Sequence, residues 1–310
     1  MVKKNEIPSH DGVTESQSRK CPDQTLKLLH ERASCRDFSD KKVPARVLDY
    51  VLEAGIHAPT GGNLQPYSII KIEEEETRRR LAGLCGKQPW IDKAPVSLLF
   101  CIDWRRLERW ARLEIAPFTA TGSFRHFWIS FQDTVICAQN ICTAADSLGL
   151  GSVYIGTVID CLRELREMFE LPRGVFPVVL LCLGYPNAKP ESRRKLGTDV
   201  IVHCEKYCEI EDETLRSSFN KKYPSLKVEA TEDRLEEIFA VCQKTDGEEF
   251  AKKCIERIEE NGYINHVQRY FGLHYRADLM PEGNEDYMAL MEEFGFSWFR
   301  PYKLLGDREG

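Results

Sequence analysis

Long apolar runs are missing from this chain. No stretch approaches the roughly twenty residues that cross a bilayer, so no membrane span is expected. Basic clusters are scarce too: Arg78-Arg79-Arg80 and Arg193-Arg194-Lys195 are the longest, and the net charge is −6. Nucleic acid is therefore not expected as a partner. The N-terminal stretch MVKKNEIPSHDGVTESQSRK lacks the apolar core of a signal peptide, so residues 1–20 should be a disordered tail and the protein cytoplasmic. No G-x-G-x-x-G fingerprint is present, which argues against Rossmann-type binding of an adenine dinucleotide. There is no internal repeat, and no Ser/His/Asp or Cys/His spacing supplies a nucleophile.

Cysteine is abundant, at twelve residues, yet no CxxC occurs. His203-Cys204 with Cys208 is the one grouping of metal-binding residue types, and it lacks a second close pair, so no metal is expected. Cys101 lies in VSLLFCI, Cys182 in VVLLCLG, and Cys137 and Cys142 in a long helical stretch. Such thiols behave as small buried hydrophobes in a reducing compartment.

A chain of 310 residues can bury a substantial core, as one domain with an appendage or as two domains. Periodicity predicts helices over 24–31, 44–57, 75–85, 124–147 and 161–169. Apolar β-rich runs cover 67–72, 96–102, 153–157 and 177–184. Strands separated by helices imply an α+β fold with an α/β-type layered core. Helix 124–147 is apolar around much of its circumference and needs burial on most sides. Beyond residue 205 charge density rises, and amphipathic helices are expected over 232–243 and 248–260.

Four short segments carry the chemistry. In ERASCRDF, Arg32 and Arg36 are four apart around a helix end, with Ser34 between them. Two guanidinium forks and a hydroxyl make a compact anion site, although a solvated basic turn would use the same residues. In HAPTGGNLQPYSI, Pro59 stops a helix and the paired glycines permit unusual backbone angles. Asn63 and Gln65 then offer carboxamide donors and acceptors suited to a planar heterocycle, or simply fill a turn. In LGLGSVYIG, glycines allow close backbone approach to a ligand. Arg193-Arg194-Lys195 follows Gly184-Tyr185-Pro186 as a basic triplet.

In this order and at these separations, the four segments resemble the FMN-dependent nitroreductase family, over about sixty per cent of the chain (roughly residues 22–205). The resemblance implies a nitroreductase-like mixed β-sheet flanked by helices over 21–205, and a mostly helical C-terminal extension over 206–310 that packs on the dimer. It implies an FMN-binding enzyme that moves hydride by a ping-pong route. The donor would be NADH or NADPH, the relay flavin N5, and the acceptor a small nitroaromatic, quinone or flavin-like molecule. By that likeness Arg32, Ala33, Ser34 and Arg36 would meet the phosphate, ribityl chain and pyrimidine edge. Asn63 and Gln65 would hold ribityl and ring polar atoms, and Ile155 and Gly156 would place backbone near N5 and O4. Arg193 and Lys195 would close on the phosphate, with Arg194 able to replace either. Arg36 would balance charge developing near N1 and O2. Ala33 departs from the pattern, since relatives often carry Arg or His there, and Cys35 is also unusual. The likeness further implies a homodimer with helix 124–147 at its centre and the flavin between the chains. Two other readings stay open: a narrow-specificity flavoenzyme of the same family (reductive dehalogenation or flavin fragmentation), and a non-catalytic flavin- or partner-binding protein.

The segment 263–276 holds four aromatics besides its two histidines and two arginines. It is too aromatic for a free tail and is expected to pack. A lid over the flavin would use His266, Arg269, His274, Tyr275 or Arg276, with His274 and Arg276 favoured at the pocket mouth.

Overall fold

The computed structural model describes residues 23–224 and 226–302. The tail expected over 1–20 lies outside the described residues. Four strands are present among them, β1 (Tyr67–Ile72), β2 (Val96–Asp103), β3 (Gly151–Ile155) and β4 (Val175–Gly184). The helices in chain order are α1 (Gln24–Glu31), α2 (Ala45–Ile56), α3 (Glu75–Leu84), α4 (Pro89–Lys93), α5 (Trp104–Leu113), α6 (Phe124–Ser147) and α7 (Leu162–Met168). The C-terminal third adds α8 (Thr198–Ile201), α9 (Asp212–Lys222), α10 (Glu232–Asp246), α11 (Glu248–Asn261), α12 (His266–Arg269) and α13 (Asn284–Glu293).

The strands form one sheet in the order β1-β2-β4-β3, with every ladder antiparallel. Among the described residues, the one parallel pairing is an isolated bridge between Ser34 and Ser152. Central β2 is buried at all eight positions, which is why its sequence reads as a continuous apolar run rather than an alternation. Its side chains divide between two cores. Val96, Leu98 and Phe100 face α2 and α6, while Leu99 and Cys101 face the layer containing α3, α5 and α7. The result is a helix–sheet–helix sandwich of the α+β class.

Local chemistry explains the helix ends. Asp23 caps α1 by accepting from the Thr25 amide at 2.7 Å, and Ser123 caps α6 from the His126 amide at 3.4 Å. Gly149 ends α6 at φ +77°, a left-handed value that a side chain disfavours. Helix α5, WRRLERWARL, was not anticipated. Asp103 caps it at 3.0 Å, and Trp104 and Leu107 anchor it in the core.

The C-terminal third divides its packing. α10 and α11 enclose a small core of Ile238, Ile258 and Ile264. Within and just after α13 the chain returns to the main body, where Leu290, Phe294 and Phe296 join the core that includes Phe176.

Candidate functional site

The ERASCRDF segment does not run free after α1. It laces along the start of β3 and the end of β4. The Cys35 amide donates to Ser152 O at 2.8 Å, the Ser39 amide to Tyr185 O at 2.8 Å, and Phe38 bridges to Pro186. Gly151 is required here, because a Cβ on it would lie 2.6 Å from Cys35 Cβ. This lacing brings together Arg32, Ser34, the LGLGSVYIG strand and the GYP corner.

Arg32 stands half-buried at the head of this assembly. Its Nη2 donates to Ser152 Oγ at 3.5 Å, its Nε lies 3.9 Å from Asp146 Oδ2, and its guanidinium is 5.8 Å from the Tyr154 ring centroid. Buried Arg32 Nε has no hydrogen-bond partner. A buried donor in that state is costly unless a ligand completes it. Arg32 lines a cavity of about 340 Å³ together with Ala33, Asp146, Gly151 and Lys189. Lys189, which pairs with Glu31 at 2.6 Å, is a further cation that the sequence reading missed. Its signal was present, three residues after the GYP corner.

Burial pushes the Asp146 carboxyl up to about 6, and Arg32 only partly pulls it back. A carboxyl whose folded value is raised is protonated in the native state while already ionised in the unfolded one. Its contribution is therefore lost as pH rises from about 4 to about 6. Asp146→Asn should remove that slope. Its stability relative to the parent should rise across this window by up to about 3 kcal/mol, read from urea midpoints at pH 4 and pH 7. The pH-independent cost of leaving Arg32 unpaired drops out of that difference.

Gly156 ends β3 exposed, with open space where a Cβ would stand. Buried Ile155 precedes it. Behind this corner, Thr157 Oγ1 donates to Cys85 O at 3.0 Å, and Gln88 Nε2 donates to both Thr157 Oγ1 (2.9 Å) and Cys85 O (2.8 Å). Gln88 fixes the corner's rear and was not singled out from sequence. Arg36 is exposed, its guanidinium 5.4 Å from the Trp90 ring centroid. Arg193, Arg194 and Lys195 are exposed in an irregular segment, where Arg194 donates to Lys221 O at 3.3 Å at the end of α9. Arg193 and Lys195 make no ion pair among the described residues.

Asn63 and Gln65 do not join this group in a single chain. Both adopt left-handed backbone, at φ +56° and +47°, in the loop before β1. That loop is clamped from two sides. Asp133 on α6 accepts from the Gly61 amide at 3.1 Å, and Arg106 on α5 donates to Gln65 O (2.6 Å) and Tyr67 O (2.9 Å). Gln65 Nε2 donates one N–H to Ile56 O at 3.0 Å, which leaves its other N–H and its oxygen for a ligand. Helix α6 serves as a ruler. Asp133 touches this loop and Asp146 touches Arg32, and the intervening helix spans about 20 Å. β1 and β3 also occupy opposite edges of the sheet, about 14 Å apart across three strand spacings.

The exposed face of α6 carries Phe124, Trp128, Phe131 and Val135, an i, i+4, i+7, i+11 stripe of large apolar groups. The opposite face packs Cys137, Ala138, Ile141, Cys142 and Ala145 into the core. Burial raises the thiol pKa of Cys101, Cys137 and Cys182, which makes them inert packing groups. In the C-terminal third, Arg276 is already paired with Asp278 (2.9 Å) and Glu237 (3.4 Å), and His274 stacks edge-on to Tyr275. No cluster of three or more His, Cys, Asp or Glu side chains suited to a metal occurs among the described residues. No helix among them is long and apolar enough to cross a membrane.

The nitroreductase family model matches residues 29–185, just over half of the chain. An FMN reductase of Bacillus subtilis is 34% identical over 185 residues, covering 59% of this chain and 74% of that protein. An oxygen-insensitive NADPH nitroreductase of Salmonella typhimurium is 32% identical over 191 residues, covering 62% and 78%. The chain belongs to the nitroreductase family. Among solved structures, the hypothetical oxidoreductase YcnD from Bacillus subtilis superposes with a TM-score of 0.68 at 27% identity, over 88% of this chain and 98% of that one.

Proposed function

We propose that this protein is an FMN-dependent oxidoreductase that passes hydride from NADH or NADPH to a small electron acceptor such as a nitroaromatic, a quinone or a free flavin. The observation that carries the reading is Arg32, which has an unpartnered buried Nε and lines a cavity at one end of β3 while Gly156 leaves the other end open. The residues present suit a flavin monophosphate: cationic donors where an anion would sit, and bare backbone where a flat ring would lie. Bound there, FMN supplies reversible hydride uptake.

The chain's own residues bind and orient. Arg32 and Ser34 hold the phosphate end, with Arg193 and Lys195 closing over it. Arg36, backed by the Trp90 ring, supplies a fixed positive charge near the pyrimidine edge. Gly156 admits the ring face, and Gln88 and Thr157 hold that corner in place.

The Asn63 and Gln65 loop completes the site from a second copy of the chain. This homodimer reading rests on the distance between the two halves in one chain and on the exposed apolar stripe of α6. Its interface should fall in the obligate class, above about 2,000 Å². A cytoplasmic location is supported by the many buried free thiols.

Cofactor identity tests the reading. Heat-released flavin should run as FMN, and the loaded protein should oxidise NADH or NADPH when a nitroaromatic or quinone is added. FAD in the supernatant, or tightly held FMN with no turnover on any acceptor, would contradict it.

A further inference from the structure

A cavity of about 800 Å³ lies in the C-terminal third between α9, α11 and the segment leading into α12. No residue of the four motifs lines it. Its volume falls within the range of small-molecule sites.

Its inner wall is aromatic. Tyr223 and His266 stack with ring centroids 3.6 Å apart and planes 19° from parallel, and Tyr270 lies 5.6 Å beyond His266. Burial, then the nearby Arg269 and Lys222, hold the His266 pKa down, so its imidazole is a neutral plate rather than a cation at neutral pH. Immediately after this wall the chain makes a π-helical turn over Tyr270–His274, an irregularity that recurs where side chains are aimed at ligands.

The rim is basic, in a chain whose net charge is negative. Arg216, Lys222 and Arg257 line it against a single carboxylate, Asp212. Arg216 and Arg257 make exposed ion pairs with Glu213 (3.4 Å) and Glu260 (3.3 Å), contacts weak enough to exchange for a ligand. Lys222 has no carboxylate partner among the described residues. Its ammonium lies 4.9 Å from the Tyr223 ring centroid and 5.9 Å from that of Phe219. Flat aromatic plates beneath a cationic rim define what fits: a planar ring for the plates and an anionic group for the rim.

We infer that this cavity is a binding site for a planar aromatic carboxylate. The test uses the full-length FMN-loaded protein and 2-naphthoate, a fluorescent carboxylate, with binding followed by equilibrium dialysis. Saturable binding with a dissociation constant below about 1 mM is expected. Lys222→Gln should weaken it about tenfold, and the uncharged 2-naphthamide should bind the parent about tenfold less tightly. Flavin absorbance should stay unchanged on binding. Lys222 is half-buried at the end of α9, and retained FMN content verifies that its variant keeps the fold. Absence of saturable binding, equal affinity for the amide, an unaffected Lys222→Gln variant, or binding that shifts the flavin bands would each overturn the assignment.

Discussion

Replacing Arg32 with alanine is expected to weaken FMN binding by about 1.5–3 kcal/mol, tenfold or more in dissociation constant. The expectation follows from what the guanidinium does when no ligand is present. It makes a long contact to Ser152 and a distant one to Asp146, and it leaves one buried N–H without a partner. A phosphate group would satisfy that donor and add charge-assisted contacts. Alanine removes both, and it also leaves Asp146 facing the phosphate without its counter-charge. Titrating apo-protein with FMN by flavin fluorescence measures the change. Riboflavin, which lacks the phosphate, should lose far less, and an equal loss for both ligands would move Arg32 away from the phosphate.

Phe294→Ala should be the most damaging substitution outside the site, at about 3–5 kcal/mol of stability. Phe294 is fully buried, meets Phe176 edge-on at 5.2 Å, and carries the Arg166 guanidinium 5.5 Å from its ring centroid. Its carbonyl accepts from the Gly174 amide at 2.7 Å, so the returning C-terminal segment is tied to the main core by backbone as well. A fall in melting temperature of roughly 10 °C is expected by calorimetry. FMN affinity at low temperature should be nearly unchanged. A stability loss below about 1 kcal/mol would mean that the C-terminal return is only loosely docked. The same packing makes deletion of everything beyond residue 209 a poor probe of function, because it would strip Phe294 and Phe296 from the core.

Much of this was legible in the sequence because the signals are local. Helix α6 could be read to both ends, since Ser123 caps one and Gly149 stops the other. The strands announced themselves as apolar runs bounded by Pro and Gly. Helix α5 was missed because WRRLERWARL reads as a charged run, and only its burial of Trp104 and Leu107 makes it an element. Arg106, Asp133 and Gln88 were invisible for a different reason. Their partners lie far away in sequence, and no spacing rule connects Arg106 to the carbonyl of Gln65. The return of Phe294 to Phe176 is equally non-local. The motifs gave residue types without their distances. That Asn63 lies across the sheet from Arg32 emerged only from strand order and the length of α6.

That separation is the account's central claim, and mixing two variants tests it directly. Arg32→Ala removes one half of the site, and Asn63→Gly removes the other while tolerating the left-handed backbone at that position. Each homodimer should be nearly inactive at limiting FMN. Co-expressed chains pair at random, so half of the dimers are mixed, and each of these holds one site with both lesions and one site with none. Activity should return to about a quarter of the parent value. If the mixture stays as inactive as either variant alone, both residues serve the same site from one chain, and the shared-site account is wrong.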